Sequence, residues 1–310
     1  AAAAAAALAG GMATPVGAAA GGAGRAPEAG GCTDRQQVGA LPAAVVDFMA
    51  ALANTLQLRS ATLHLAACVA ERYLASPGRP ALELDELYVV GATSLKVADV
   101  FAEPSKEYYK QESAEEYAQA SRRSQRAVTA TAILSCERDL LQSLGFDLQL
   151  PTVDWFVRSF LSYTGLAPDG RAARVALFAS DLSLLDPALR AYTRSQLAQC
   201  VVVLAAFLAQ GASGDGTPGS APRGLESWNL HIRERACAGN SAAQAVACMR
   251  ALARTLTEVR HTSCSAGLCA LETRHAAVAR SLAFPGGLPA TQLARLVLPA
   301  AQQRLLGAPK

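Results

Sequence analysis

The chain is short of net charge, aromatic residues, lysine and long apolar runs, and each shortage excludes something. A formal net charge of +3 over 310 residues is too small to be the electrostatic footprint of a dedicated nucleic-acid binder. The expected partner is a protein. Aromatic residues make up only 5%, and alanine and leucine dominate over the β-branched and aromatic types that favour strands, so with 17% charge the composition points to packed helices. The longest apolar run, Cys200 to Leu208, is about half of the ~20 residues needed to cross a bilayer, which makes it a buried core helix and argues against a membrane role.

Reactive motifs are missing too. The sequence has no phosphate-cradling glycine loop, no H-E-x-x-H and no nucleophile–base pair, so the chain is expected to be non-catalytic and to need no cofactor. Eight cysteines occur, none with C-x-x-C spacing, and most fall in apolar helical stretches. They are expected to be reduced core residues of an intracellular protein. His261, Cys264 and Cys269 come nearest to a metal cluster, but a fourth ligand is lacking and the spacing is irregular, so no metal site is expected.

What the chain does have is apolar material, 51% of 310 residues, enough for two cores. Residues 1–40 open with an Ala/Gly tract that lacks the basic and leucine-rich regions of a signal peptide and read as a disordered leader. A first set of five helices follows: Leu41–Leu56, opened by Pro42; one capped by Ser60 and running to Ala75; Leu82–Glu103, ended by Pro104; a short one opened by the capping box Ser113–Glu116; and Arg126–Leu144, ended by Gly145. Pro151-Thr152 restarts the pattern with helices near 153–163, 172–185, 195–210, 225–235 and 241–257, interrupted by a Gly/Pro/Ser insert at 211–224 that reads as a surface loop. The expected fold is all-α, two tandem five-helix lobes at 41–148 and 151–257, each built around its third helix. Residues 258–310 form a C-terminal extension of short helices, expected to pack back on the second lobe.

Four blocks of sequence resemble the cyclin family. From Val45, VVDFMAALANTLQLRSATLHLAACVAERYLA is similar to the opening of a cyclin box, and LYVVGATSLKVADVFAE at 87–103 to its third helix. CERDLLQSLGFDLQLPTVDWF at 136–156 is similar to the family's fifth helix and the segment after it, and ASDLSLLDPALRAY at 179–192 to part of the second lobe of A-type cyclins. The blocks stand in family order, and the likeness covers about Leu41 to Thr257. It implies two cyclin boxes of the A/B type, and a regulatory subunit that binds and activates a cyclin-dependent serine/threonine kinase in cell-cycle control. A kinase-independent cyclin-fold adaptor or transcription-factor-like scaffold is the alternative. For a cell-cycle kinase regulator acting in mitosis, the expected location is nucleus and cytoplasm.

In the fifth helix, Ile133, Cys136, Leu140 and Leu144 form one apolar stripe, which leaves Glu137 and Leu141 on its margin. Periodicity alone reads Glu137 as a solvated helix-face charge. The resemblance makes it the carboxylate that, with a lysine on the third helix, holds the kinase, surrounded by Val97, Phe101, Glu103, Leu141, Phe146 and Leu148. Where the family has that lysine this chain has Val100, and the replacements near at hand are Lys96, one turn back, and Lys106, just past the helix. The resemblance also implies a docking patch for substrates or inhibitors with basic-x-leucine motifs. Its apolar floor is Leu41, Val45, Phe48 and Leu87, although helical spacing equally admits the first three as ordinary core. The polar rim departs from the family: Ala51 and Tyr88 replace an acid and an amide, and Pro42 replaces the arginine that usually pairs with the acid at Glu71.

Overall fold

A computed structural model describes residues 41–103, 113–124, 126–164, 166–210 and 242–281. Among these residues the regular elements are helical and none is a strand, as the composition led us to expect. Helices α1 (Ala43–Thr55), α2 (Ser60–Leu74), α3 (Leu84–Ala102), α4 (Ala114–Arg123) and α5 (Ala130–Ser143) form the first lobe. Helices α6 (Val153–Tyr163), α7 (Arg171–Leu182), α8 (Arg194–Gln210) and α9 (Ala242–Arg254) lie in the second. Two 3-10 turns, Ser183–Leu185 and Pro187–Ala191, separate α7 from α8. The leader, the insert at 211–224 and the helix expected near 225–235 lie outside the described residues, as does everything beyond 281.

Local signals account for most helix starts. Ser113 and Glu116 form the expected capping box at α4, and a second one, Glu83 with Glu86, opens α3. Thr129 caps α5 and Thr152 caps α6, each through its hydroxyl. Ser60 departs from expectation. It is already helical, with Arg59 in the N-cap position, and its hydroxyl donates to the buried Asp181 carboxylate, Oδ2 at 2.9 Å, a charge-assisted bond.

Helix α3 runs through the centre of the first lobe, packed by α2, α5 and α1, and α8 does the same for the second against α7, α6 and α9. Leu95 of α3 is fully buried with Met49 and Leu52 of α1, Leu63 of α2, Tyr117 of α4, and Ile133 and Leu140 of α5. Side chains of this size contribute about 1.5–3 kcal/mol each when removed from water. Close approach of α1 and α3 depends on Gly91, where a Cβ would lie 3.0 Å from Met49 Cγ and 3.2 Å from Val45 Cγ1. Cys68, Cys200 and Cys248 are free and buried, and Cys136 and Cys269 are free and half-buried.

The C-terminal extension corrects the expectation that it folds back on the second lobe alone. A π-helical turn (Thr255–Val259) carries α9 into α10 (Arg260–Ser265), and two short helices follow, α11 (Ala270–Arg274) and α12 (Ala276–Ser281). Helix α11 packs on α1, in the first lobe. Asp47 Oδ1 accepts from the Ala270 amide at 2.8 Å, Asn54 Nδ2 donates to the Ala270 carbonyl at 2.8 Å, and Arg274 donates to Asn54 Oδ1 and to the Leu58 carbonyl. Asp47 and Asn54 stand two turns apart on α1, so one polar stripe of that helix receives the incoming backbone.

Candidate functional site

The third and fifth helices cross so that Lys96 of α3 and Glu137 of α5 meet, with Lys96 Nζ donating to Glu137 Oε1 at 2.6 Å. Both are reachable from solvent, their side chains being 14% and 22% exposed. Around the pair the surface is apolar. Val100 and Phe101 of α3 and Leu134 of α5 are exposed, and Leu141 and Leu148 are half-buried against the core. Just past α5, Phe146 is 68% exposed. A charge pair ringed by open apolar side chains suits binding to another protein: the ring excludes water, and a partner's polar groups can exchange with the pair.

Two residues expected on this surface are not there. Val97 is buried in the first-lobe core. Glu103 is buried as well, where it accepts from the Arg59 amide at 2.8 Å and from Thr62 Oγ1 at 2.5 Å. Arg59 is the residue that precedes α2, so the Glu103 carboxylate caps the N-terminus of that helix, where the free amides and the helix dipole favour a negative charge. Lys106 lies outside the described residues. Leu134 went unnoticed in the sequence although a signal existed: it stands three residues before Glu137 and seven before Leu141, on the margin of the buried stripe.

The expected docking patch is corrected too. Leu41, Val45 and Phe48 are buried core side chains and Leu87 is half-buried against them, so the alternative that spacing allowed holds for the first three. Phe48 meets Tyr88 edge-on at 5.0 Å, and the Arg126 guanidinium lies 4.8 Å above the Tyr88 ring. Glu71 does find an arginine, but from between α7 and α8: Arg190 Nε lies 2.6 Å from Glu71 Oε1, and Arg190 also donates to the Leu41 carbonyl. Burial raises the Glu71 pKa and the Arg190 charge opposes that rise. No group of three or more potential metal ligands occurs among the described residues, and none of their helices is long and apolar enough to cross a membrane.

A second polar centre joins the lobes. Asp181 of α7 is fully buried, with Ser60 Oγ donating at 2.9 Å and the Nε2 atoms of His64 and His275 at 3.1 and 2.8 Å from its two oxygens. Arg274 Nε is 3.7 Å away. Burial acts to raise the Asp181 pKa, but the hydrogen bonds from His275 and His64 prevail and hold it well below the usual carboxylate range. Ser180 Oγ lies 3.3 Å from the same His64 Nε2. Because Ser180 and Asp181 share one nitrogen in a buried place, the cluster is an interlobe fastening and not a nucleophile–base–acid relay.

Residues 35–149 match the family model for the cyclin N-terminal domain. The match covers 115 of the 310 residues, and it is this segment that is similar to the cyclin family. Its curated relatives include cyclin-F2-2 of Oryza sativa subsp. japonica, 25% identical over 194 residues, covering 62% of this chain and 39% of that protein. Cyclin-F3-1 of the same organism is 30% identical over 145 residues, covering 46% of this chain and 34% of the relative. The chain thus spans less than half the length of these relatives. The crystal structure of a viral cyclin from herpesvirus saimiri superposes with a TM-score of 0.52 at 12% identity, over 73% of this chain and 85% of the viral one. That likeness concerns the fold and extends it beyond the matched domain.

Proposed function

We propose that the chain is a regulatory subunit that binds and activates a cyclin-dependent serine/threonine kinase through the surface around Lys96 and Glu137. The observation that supports this most is the accessible Lys96–Glu137 pair set between exposed Val100, Phe101 and Leu134. The family resemblance assigns a lysine and a glutamate on these two helices to the kinase. In this reading the lysine has moved back one helical turn, so the charge survives where Val100 replaces it. Binding acts by population shift: contacts available only in the active arrangement of the kinase's regulatory helix favour that arrangement. Cell-cycle control, an A/B-type role in mitosis, and location in nucleus and cytoplasm are part of the same proposal. Recruitment of basic-x-leucine partners is left out of it, since the expected floor of that patch is core.

The test is direct. The purified chain is mixed with each of a panel of purified cyclin-dependent kinases, and binding and phosphorylation of a generic substrate are measured. Activation of at least one kinase, lost in Glu137→Ala and Lys96→Ala, is the expected result. Binding without activation would favour the kinase-independent adaptor, the reading to which the apolar Val100 lends support.

A further inference from the structure

Phe146 is held in an uncommon way. Gly145 and Phe146 both have φ of 59°, the left-handed region that is unfavourable for a residue with a Cβ. The side chain is largely in solvent, so its own burial does not offset that cost. Two turn hydrogen bonds fix the backbone, Phe146 N to the Leu141 carbonyl at 3.0 Å and Asp147 N to the Leu144 carbonyl at 3.2 Å, but they leave the next peptide to be held from elsewhere. That hold comes from α2. Arg72 Nη1 donates to the Asp147 carbonyl at 2.8 Å and Nη2 to its carboxylate at 3.3 Å.

Arg72 is the last rung of a ladder. Ser143 Oγ donates to Ser76 Oγ at 3.0 Å, and Arg79 Nη2 donates to Asp139 Oδ2 at 3.1 Å. Along α5 and just past it the rungs are Asp139, Ser143 and Asp147, four residues apart, one helical turn each. Their partners run the other way, Arg79, Ser76 and Arg72. The first rung is braced by Tyr73, whose hydroxyl donates to Asp139 and accepts from Arg79 Nη1 at 2.6 Å, with the Arg79 guanidinium 3.5 Å from the ring centroid. An exposed surface ion pair alone contributes little. A charged donor that grips a backbone carbonyl and the carboxylate of one residue fixes a direction as well.

We infer that this ladder between the end of α2 and the end of α5 presents Phe146 outward as a rigid anchor, with Arg72 as its positioning residue. The consequence for binding rests on the reading of Phe146 as part of the kinase surface; the positioning itself does not. A strained aromatic that is held rigid in solvent has little motion left to lose when a partner's apolar pocket closes on it.

Hydrogen exchange on the full chain tests the positioning. In Arg72→Ala the Phe146 and Asp147 amides should exchange about tenfold faster or more, while α3 core amides stay unchanged. Arg72→Lys, which keeps the charge but not the two-pronged grip, should fall between, and Arg122→Ala serves as the control for a lost surface charge. Exchange in Arg72→Ala no faster than in the control overturns the inference. Binding to a purified cyclin-dependent kinase separates it from the functional reading. If both hold, Arg72→Ala and Phe146→Ala each weaken binding and the double variant is no weaker than Phe146→Ala. If exchange accelerates but Phe146→Ala binds normally, the positioning stands and Phe146 is not the kinase anchor. If Phe146→Ala weakens binding while Arg72→Ala changes neither binding nor exchange, the positioning fails and the anchor stands.

Discussion

Among the charged centres that tie the described helices together, the Asp181 cluster and the Lys96–Glu137 pair are built in opposite ways. Asp181 is sealed between the lobes and receives Ser60, His64 and His275 from two separate stretches of chain. Glu137 pairs with Lys96, and both can be reached from solvent. Sealing makes the first centre stiff and expensive to damage, because Ser60 and His64, left behind, would be buried groups without their acceptor. Openness makes the second cheap to rearrange, since water can replace either partner. A centre of the first kind fastens the fold, and one of the second kind can be handed to another protein.

The comparison breaks most readily at Asp181. Asp181→Ala should lower the unfolding free energy by about 3–5 kcal/mol, the scale for removing one partner of a buried charge cluster, as read from urea denaturation. An effect near that of a surface substitution would mean that the Asp181 cluster does not fasten the lobes. Arg274→Ala should cost less, about 1.5–3 kcal/mol for hydrogen bonds to a charged group, because Arg274 binds Asn54, the Leu58 carbonyl and Asp181 from a short helix at the edge of the interface.

Acid sharpens the contrast. The Asp181 carboxyl is held below its ordinary value in the folded chain, so between pH 7 and the unfolded carboxylate value of about 4 the two states differ little in protons bound there. Below about pH 4 the unfolded chain takes up a proton that the folded one resists, and the stability supplied by Asp181 is lost as pH falls toward the folded value. The stability gap between the wild-type chain and Asp181→Asn should therefore narrow below about pH 4, by denaturation at a series of pH values. The smallest stability effect is expected at the open pair: Lys96→Ala and Glu137→Ala should change unfolding free energy by no more than about 1 kcal/mol, yet weaken kinase binding in a salt-sensitive way. A large loss of stability in either would place the pair in the fastening class.

Much of the helical layout was legible because its signals are local. The helix expected at 153–163 has those limits in the structure, and the Ser113–Glu116 box opens α4 where the motif stands. Errors came where one side chain had a local and a distant option. Ser60 looked like a cap and serves Asp181; Glu103 looked like part of a binding surface and caps α2 from 44 residues away. Leu41, Val45 and Phe48 have the spacing of a helix face, which is the same whether that face meets solvent, a peptide or the core.

The sequence by itself determined the all-α class, the two runs of helices, the capping box of α4 and the apolar stripe on α5, because periodicity and capping act within a few residues along the chain. Only the tertiary structure decided that Lys96 meets Glu137, that Arg190 pairs with Glu71, that the C-terminal extension reaches α1, and that Arg72 grips the residue after Phe146. The last contact joins side chain and backbone 75 residues apart, and no spacing rule reaches that far. Such pairs are set by how helices cross once their apolar faces are buried, and it is the crossing that brings a donor to its acceptor.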